Sequence, residues 1–301
     1  MNKKPLSVCF ITYNHEKYVT QALDSILMQK TDFEWDLVVA DDYSTDSTRA
    51  KILEYKARFP EKIHLIFQEK NVGPAQNFID LITFPNSKYI AYLEGDDYWT
   101  DPYKLQKQYN ILEQHPDCVL CFTDYSNLYA ENKLVEVSKN KLAIKTQFSD
   151  LIQRNYIATL TVMYRNTKEV LPIWYKDMKI GDWPLYLWLM KDGHKAYYLK
   201  ENTAVYRHGV GVSVNMVKRI SVITLNLLQI LNELQKDVSF KPHKNVISNS
   251  IFERKKELLK SYIRENQVSK VISVYFEMIR FSTFISITKL LLFSMFKKIR
   301  S

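Results

Sequence analysis

A group of carboxylates follows one apolar run of the sequence. Residues 88–93 read Lys-Tyr-Ile-Ala-Tyr-Leu, which is typical of a buried strand, and the run ends in Glu94-Gly95-Asp96-Asp97. Neighbouring carboxylates repel one another, and burying them is costly without a positive partner. Hard divalent cations prefer oxygen ligands of this kind and can bridge to substrate phosphates. These four residues alone leave two interpretations open, a polar turn after a strand and a metal site.

Two other apolar runs also end in polar residues. Residues 7–11 lead into Thr12-Tyr13-Asn14-His15, and residues 35–40 lead into Asp41-Asp42. Between the runs, apolar residues recur every three to four positions, which predicts helices. Alternating strands and helices indicate right-handed βαβ units and a mainly parallel sheet covered on both faces. Because ligands bind outside the carboxyl ends of such strands, we expect the three polar segments to converge on one edge.

The predicted fold class is therefore α/β, with a Rossmann-like, mainly parallel sheet flanked by helices. No Gly-x-Gly-x-x-Gly follows the first strand, and no Gly-Lys-Ser/Thr of the Walker type occurs. The Gly-rich loops with which dinucleotide oxidoreductases and P-loop proteins bind phosphate are thus missing. We therefore expect a metal ion to neutralise most of the charge of any bound phosphate. From about Val217 onward the pattern is helical. We predict one domain over residues 1–215 and a helical C-terminal extension over residues 216–301.

The composition is that of an ordinary soluble protein. The chain has 301 residues, 46% of them hydrophobic and 25% charged. It has three cysteines, and the pair Cys118 and Cys121 lies in an apolar run with no second Cys/His pair at metal spacing. We therefore expect buried, reduced thiols rather than a zinc or redox site. No signal peptide is visible after Met1, so we expect a cytoplasmic protein.

The C-terminal end is apolar and basic. Residues 271–296 are rich in apolar side chains but contain Glu277, Arg280 and Lys289. A charge near the centre of a membrane span costs about 2.5–3.5 kcal/mol on insertion scales, so we expect no span. Two alternatives stay open. One is an amphipathic helix on the inner face of the cytoplasmic membrane, and the other is a helix packed on the domain or on a dimer partner.

Five segments of the sequence together resemble the inverting, family-2 type of nucleotide-sugar glycosyltransferase with the GT-A fold. They occur in the family's order within residues 5–215 and are Ile11-Thr12-Tyr13-Asn14, Asp41-Asp42-Tyr43-Ser44-Thr45-Asp46-Ser47-Thr48, Asn71-Val72-Gly73, Glu94-Gly95-Asp96-Asp97 and Gly181-Asp182-Trp183. The resemblance implies a GT-A domain over residues 1–215. It also implies transfer of a sugar, with inversion, from a nucleotide-diphosphate sugar of the UDP type to a hydroxyl of a glycan or lipid-linked saccharide, in surface polysaccharide assembly.

The resemblance further implies which residues bind the donor and a metal ion, Mg²⁺ or Mn²⁺. Asp42 is expected to accept a hydrogen bond from the nucleobase. The expected donor-binding residues are Thr12, Tyr13, Asp42, Asn71, Asn77 and Asp97. Asp96 is expected to be the principal metal ligand, and the further metal ligands are Glu94 and His208. Glu94 departs from the family's commoner pattern, in which an Asp stands first in the Asp-x-Asp motif.

Several of these residues also have a structural interpretation. Asp182 matches the family's general base, which takes the proton of the acceptor hydroxyl, but it is also a candidate N-cap of a helix starting at Pro184. A lone histidine such as His208 is more often structural, and Arg207 is an alternative contact for the diphosphate. Trp99 and Trp183 are candidates either for a wall that stacks on the acceptor sugar or for the core.

Other function classes are a metal-dependent sugar nucleotidyltransferase and a non-catalytic nucleotide-sugar binding protein. A nucleotidyltransferase normally has a Gly-rich N-terminal loop, which is absent here. The net charge of +9 makes nucleic-acid binding a further function class to consider. The acidic segments would repel nucleic-acid phosphates, so we expect no nucleic-acid partner.

Overall fold

The computed structural model describes residues 4–138, 141–210 and 219–279. The chain divides into two compact units, Met1–Gly211 and Val212–Ser301. The first unit contains every residue that the sequence singles out for the site, and the second unit is helical wherever it has regular structure among the described residues.

The first unit alternates strands and helices through its first half. Its strands are β1 Leu6–Thr12, β2 Trp35–Asp41, β3 Ile63–Phe67, β4 Tyr89–Glu94, β5 Tyr98–Trp99, β6 Cys118–Leu128, β7 Leu134–Val137, β8 Lys145–Thr146, β9 Met163–Arg165 and β10 Lys195–Arg207. Its helices are α1 Val19–Leu27, α2 Thr48–Arg58, α3 Pro74–Thr83, α4 Lys104–Gln114, α5 Phe148–Leu151 and α6 Asp182–Met190. Three 3₁₀ helices span Ala130–Asn132, Thr159–Thr161 and Ile173–Asp177.

Ten described strands form one mixed sheet, and its main path has the order β3-β2-β1-β4-β9-β6-β10-β5. The pairs β1–β2, β1–β4, β2–β3 and β6–β10 are parallel. Strand β9 runs antiparallel between β4 and β6, so β4 and β6 point the same way. The carboxyl ends of β1, β2, β4, β6 and β10 therefore lie at one edge, and the prediction of a mainly parallel α/β fold is confirmed.

The core explains why these segments become strands and helices. Alternate residues of β1, among them Leu6, Val8 and Phe10, are fully buried in one cluster with Leu23 and Ile26 of α1. Burying one such side chain contributes about 1.5–3 kcal/mol to the stability of the fold. The apolar periodicity therefore favours a strand at β1 and a helix at α1.

The cysteines lie where the sequence predicts. Cys9, Cys118 and Cys121 are buried free thiols. Burial raises the pKa of the Cys121 thiol to about 12, so this thiol stays protonated and unreactive at neutral pH. The expectation that these three cysteines are buried is confirmed.

The second unit contains three described helices, α7 Ile220–Lys236, α8 Lys244–Arg264 and α9 Val268–Ile279, with a 3₁₀ helix at Val238–His243. Helix α8 begins at Lys244, directly after the 3₁₀ helix. Apolar side chains such as Leu228 of α7, Leu259 of α8 and Met278 of α9 form a small core of their own.

No helix among the described residues is sufficiently long and apolar to cross a bilayer. Most of the apolar, basic end, residues 280–301, lies outside the described residues. The prediction of a membrane-associating C-terminal helix therefore stays a prediction.

Candidate active site

Three carboxylates lie at the carboxyl end of β4, and we call Glu94, Asp96 and Asp97 the acidic cluster. Glu94 Oε2 and Asp97 Oδ2 are buried and accept no hydrogen bond within the described part of the chain. Burial, followed by the charges of Asp97 and Asp96, holds the pKa of Glu94 well above its ordinary value. Burial and the charge of Asp96 do the same for the pKa of Asp97. The charge and the backbone N–H of Arg207 oppose the rise for Asp97, but burial and the repulsion among the carboxylates outweigh them.

A divalent cation fits this arrangement. Two buried carboxylate oxygens without partners are hard ligands, and a cation there would offset both the burial and the repulsion that raise the two pKa values. Among the described residues, no group of three or more His, Cys, Asp or Glu side chains is arranged to hold a metal ion. Mg²⁺ is commonly held by one or two carboxylates, with water and substrate phosphates as its other ligands. The acidic cluster can serve as such a partial site.

His15 lies directly against the acidic cluster, although the sequence assigned it no function. Its Nε2 is 3.8 Å from Asp96 Oδ2, and its Nδ1 is 3.2 Å from the hydroxyl of Thr12. Burial lowers the pKa of His15, although the charge of Asp96 opposes this. Thr12, expected in the donor pocket, is buried with its hydroxyl against His15. The only signal for His15 in the sequence was its position in the polar segment after β1.

The loops after β1 and β2 are joined to each other. The side-chain oxygen of Asn14 accepts a hydrogen bond from Thr45 N at 2.8 Å, and Asn14 N donates to Ser44 Oγ at 2.9 Å. Asn14 has a φ of 54°, in the left-handed region that asparagine tolerates better than most residues. Next to it, the ring of Tyr13 is 38% exposed and is available to a ligand.

Asp42 connects the end of β2 to the start of α3. Its two carboxylate oxygens accept hydrogen bonds from Val72 N at 2.7 Å and from Gly73 N at 3.0 Å. Asn71 donates a longer bond of 3.3 Å to the carbonyl oxygen of Asp42. Gly73 has a φ of 86°, which favours glycine at this position. Burial raises the pKa of Asp42, and the two backbone hydrogen bonds oppose that rise.

Asn77, the other predicted donor residue on this side, is 1% exposed. Its amide donates to the carbonyl oxygen of Ala40 at 3.5 Å and accepts from Gln68 Nε2 at 3.3 Å. These bonds join α3 to β2 and to the end of β3. The visible role of Asn77 is therefore to connect elements beneath the site.

Arg207, the last residue of β10, reaches the acidic cluster through its backbone. Arg207 N donates to Asp97 Oδ1 at 2.9 Å. Its guanidinium lies 4.9 Å from the ring centre of Tyr18 and 5.1 Å from that of Tyr98. Arg207 Nε is buried and finds no acceptor within the described residues, and the charge of Arg207 opposes the rise in the pKa of Asp97.

The ring of His208 is exposed and stacks on the ring of Tyr129, with 4.4 Å between the centroids and 10° between the planes. His208 N donates to the carbonyl oxygen of Leu128, which places this pair where β6 and β10 end. The role of His208 as a metal ligand stays a prediction.

Asp182 is the first residue of α6, and Gly181 precedes the helix. The helix thus starts two residues earlier than Pro184, and Asp182 is not its N-cap. Asp182 lies in the first turn, where the helix dipole favours a carboxylate. Asn155 Nδ2 donates to Asp182 Oδ2 at 2.9 Å. Burial raises the pKa of Asp182, while hydrogen bonds from Trp183 N and from the side chains of Asn155 and Thr159 oppose the rise.

Asp182 and the acidic cluster interact electrostatically. The charge of Asp182 adds to the raised pKa of Glu94, after burial and the nearer carboxylates. The first turn of α6 thus brings Asp182 to the edge where β4 ends. The acidic cluster, which suits a positive charge, and the carboxylate of Asp182, which can accept a proton, therefore lie at the same edge of the sheet.

Trp99 and Trp183 belong to the core. Each is 1% exposed, and the indole nitrogens donate to the carbonyl oxygens of Leu160 at 2.8 Å and Leu151 at 3.0 Å. Neither ring is available to stack on a sugar, so of the two alternatives the structure favours the core.

The sequence is similar to those of known proteins. An uncharacterised protein of Mycobacterium tuberculosis is 37% identical over 209 residues, which are 68% of this chain and 60% of the relative. The chain thus spans 60% of the length of that relative. The putative teichuronic acid biosynthesis glycosyltransferase TuaG of Bacillus subtilis is 30% identical over 210 residues, 68% of this chain and 80% of TuaG.

A solved structure has the same fold. S. aureus TarS 1–349, in complex with UDP-GlcNAc, superposes with a TM-score of 0.67 over 91% of this chain and 80% of that one, at 19% identity. At this identity the likeness shows the GT-A fold alone. Residues 7–170 match the sequence model of the family described as Glycosyl transferase family 2. The chain therefore belongs to glycosyltransferase family 2 and has the GT-A fold.

Proposed function

We propose that this protein is a metal-dependent, inverting glycosyltransferase that uses a nucleotide-diphosphate sugar of the UDP type. The observation that carries the proposal is the pairing of the acidic cluster, with its two unpartnered buried oxygens, and the carboxylate of Asp182 at the same sheet edge. Family membership supplies the reaction class. The proposal assigns two requirements of that reaction to these residues: charge neutralisation at the leaving group to the acidic cluster, and removal of a proton from the acceptor to Asp182.

The nucleotide is proposed to bind at the joined loops after β1 and β2. The exposed ring of Tyr13 offers a face to the base, and Asn71 is exposed at the start of the α3 loop. Each oxygen of Asp42 already accepts one backbone hydrogen bond and has a second lone pair for a base N–H. Thr12 and Asn77 are proposed to contribute indirectly, by supporting the loops after β1 and β2.

Asp96 is proposed to hold Mg²⁺ or Mn²⁺ as the principal ligand, with one neighbouring carboxylate of the acidic cluster, such as Glu94, and with water and substrate phosphates as the other ligands. His208 stays a predicted further ligand. When bound, the cation would neutralise the negative charge that develops on the departing nucleoside diphosphate. Arg207 is proposed to contact the same diphosphate, which its backbone hydrogen bond to Asp97 supports. The carboxylates contribute by holding positive charge at a fixed position on the edge of the sheet.

Asp182 is proposed as the general base. The acceptor hydroxyl gives its proton to the carboxylate of Asp182 as the oxygen forms a bond to the anomeric carbon. The bond between that carbon and the diphosphate oxygen breaks with its electron pair, and the nucleoside diphosphate leaves from the opposite face. The product is a glycoside of inverted configuration, and Asp182 carries the proton until it is lost to solvent.

The donor and acceptor classes rest on relatives. TarS was solved with UDP-GlcNAc, and TuaG is named for teichuronic acid biosynthesis. We propose a UDP-sugar donor and a saccharide or lipid-linked acceptor in surface polysaccharide assembly. A lipid-linked acceptor is compatible with a cytoplasmic enzyme held at the inner membrane face through its basic C-terminal end.

The test combines a substrate screen with two substitutions. UDP-glucose, UDP-galactose and UDP-GlcNAc are incubated with free and lipid-linked saccharides, and products are identified by mass spectrometry. With the best pair, we expect Asp182→Asn to lower kcat by about 10²–10⁴-fold, the usual contribution of a general base, with unchanged UDP binding. We expect Asp96→Asn to weaken Mn²⁺-dependent UDP binding, measured by calorimetry.

Asp192→Asn is the matched control, because Asp192 is an exposed carboxylate paired with Lys191. It should leave both kcat and UDP binding at the wild-type level. Full activity of Asp182→Asn would exclude the base, and full metal-dependent binding by Asp96→Asn would exclude the metal ligand. Formation of UDP-sugar from UTP and sugar phosphate would instead identify a nucleotidyltransferase. UDP-sugar binding without any turnover in the screen would identify a binding protein.

A further inference from the structure

We infer that Asn155 is a positioning residue for Asp182, which holds its carboxylate in one orientation for proton transfer. The inference rests on the proposed role of Asp182 as the base. Nothing in the sequence pointed to Asn155, which lies in an irregular segment 27 positions before Asp182.

The hydrogen bonds of Asn155 allow its amide a single orientation. Its Nδ2 donates to Asp182 Oδ2 at 2.9 Å, and its Oδ1 accepts from Ile157 N at 3.1 Å. Rotating the amide by 180° would turn its oxygen towards the carboxylate and its NH₂ towards the N–H of Ile157. Both contacts would then be repulsive, because each would pair two acceptors or two donors. Asn155 therefore presents a donor to Asp182 at all times.

The segment that carries Asn155 is anchored on both sides. At its start, the carbonyl oxygen of Leu151 accepts from Trp183 Nε1 at 3.0 Å. At its end, the carbonyl oxygen of Thr161 accepts from Gln108 Nε2 at 2.8 Å and from Lys104 Nζ at 3.3 Å. All three donors are in buried side chains. Asn155 is thus held at a fixed place relative to the first turn of α6.

A carboxylate needs this support because its terminal torsion is soft and has broad, two-fold preferences. The first turn of α6 fixes the backbone of Asp182, and hydrogen bonds to the carboxylate then select its rotation. Thr159, in the anchored segment, donates a second side-chain bond to Asp182. A base displaced by about 1 Å loses on the order of 10²-fold in rate, so the orientation supplied by Asn155 has a measurable consequence.

The experiment compares Asn155→Ala and Asn155→Asp in the full chain, with the donor and acceptor that give the highest turnover in the screen. Asn155→Asp is nearly isosteric and retains the acceptor for Ile157 N, but it replaces the donor with a carboxylate. We expect kcat to fall about 10- to 100-fold in both variants, and further in Asn155→Asp. The KM for the donor and the affinity for UDP should stay within about twofold of wild type, because Asn155 has no place in the proposed donor pocket.

A double-mutant cycle separates positioning from general damage. In the Asp182→Asn background, Asn155→Ala should lower the residual rate no further, because there is no base left to orient. The inference is wrong if the rate falls by the same factor in both backgrounds, or if both single variants keep wild-type kcat. In either case an inactive Asp182→Asn leaves the proposed function intact. An active Asp182→Asn removes the base itself and with it the proposed mechanism.

Asn166→Ala is the matched control. Asn166 is a partly buried asparagine whose amide donates to the carbonyl oxygens of Pro85 at 3.2 Å and Ser87 at 3.1 Å. Its substitution removes comparable hydrogen bonds that do not involve Asp182. Thermal unfolding should show similar losses for Asn166→Ala and Asn155→Ala, while only the latter lowers kcat. A fall in kcat for Asn166→Ala of the same size would attribute the effect to stability and contradict the inference.

Discussion

At the scale of single residues, the candidate site is defined by acceptors that have no donor. Glu94 and Asp97 each bury a carboxylate oxygen that finds no partner within the described chain. The cost of such burial is a reason to expect positive charge at this place during function. Asp182 differs, because hydrogen bonds from Asn155 and Trp183 N partly offset the effect of burial on its pKa. One site thus contains carboxylates suited to a cation and one suited to a proton.

Gly95 gives a prediction at this scale. A Cβ at this position would lie 2.5 Å from Thr12 Oγ1, 2.9 Å from Thr12 Cβ and 2.6 Å from His15 Nδ1. Real Cβ atoms do not approach other atoms so closely, so Gly95→Ala must displace β4 or the loop after β1. We expect a loss of about 1–3 kcal/mol in the free energy of unfolding, measured by urea denaturation, and weaker Mn²⁺-dependent UDP binding.

Gly193→Ala is the control for this change, because space around Gly193 is open although its φ is 88°. It should cost stability through backbone strain and leave UDP binding unchanged. Wild-type stability and UDP affinity in Gly95→Ala would contradict the close approach of Thr12 and His15.

At the scale of elements, the carboxyl end of the sheet is built from loops that hold one another. The segments after β1 and β2 exchange hydrogen bonds through Asn14, and Asp42 fastens the second of them to the start of α3. Most of these bonds join a side chain to a backbone group of a different loop. The position of each loop therefore depends on its neighbours, and a nucleotide bound as proposed would benefit from the order of all of them.

Asp42 allows this dependence to be tested. Asp42→Ala leaves Val72 N and Gly73 N, which belong to partly buried residues, without their acceptors, and we expect each lost hydrogen bond to cost about 0.5–1.5 kcal/mol. We expect α3 and its preceding loop to lose protection in hydrogen exchange, and UDP affinity to fall. The measurements are hydrogen exchange by mass spectrometry and calorimetry with UDP.

Asp80→Ala is the control variant, because Asp80 lies in α3, the helix that Asp42 fastens. Asp80 accepts hydrogen bonds from the side chains of Gln68 at 2.8 Å and Gln76 at 2.7 Å, and its loss leaves the bonds of Val72 and Gly73 in place. It should change UDP affinity little. Equal loss of UDP affinity in both variants would contradict a specific role for the Asp42 connection.

At the scale of the whole molecule, a buried lysine couples folding of the first unit to pH. Lys104 of α4 is 0% exposed, and its Nζ lies 4.6 Å from the ring centre of Trp99 and 2.5 Å from Gln108 Oε1. Burial lowers its pKa to about 7. The unfolded chain keeps a lysine pKa of about 10.4, so the unfolded state binds the proton more tightly.

The direction of the pH effect follows from these two pKa values. Between about pH 7 and pH 10 the unfolded state carries a proton that the folded state lacks, so the free energy of unfolding rises with pH by up to about 1.4 kcal/mol per unit. As the pH falls from 10 to 7 this stability is lost, and below pH 7 no more is lost through Lys104. We expect urea denaturation of the wild type between pH 7 and pH 9 to show this rise relative to Lys104→Met.

Methionine at position 104 keeps an unbranched chain over Trp99 and has no proton to bind. The carbonyl oxygen of Thr161 keeps its hydrogen bond from Gln108 Nε2 in that variant. The comparison also cancels the titration of other groups, since both proteins share them. Parallel pH dependences of wild type and Lys104→Met would show that the lysine does not titrate in this range.

The sequence by itself determined the local features of this protein. Runs such as residues 88–93 identify strands because burial on both faces of a parallel sheet requires continuous apolar side chains. Their alternation with helices predicted the fold class and the edge at which β1, β2 and β4 end. The acidic cluster was visible because its residues are adjacent in the chain, and Asp182 because it belongs to a motif of the family.

The tertiary structure decided which distant residues meet. His15 lies against Asp96, Asn155 bonds to Asp182, and Arg207 N reaches Asp97 across 110 positions. It also placed Trp99 and Trp183 in the core. Such contacts depend on the order and register of the strands and on the path of irregular segments. Hydrophobic periodicity does not encode these, because it reports only which face of its own element a residue occupies.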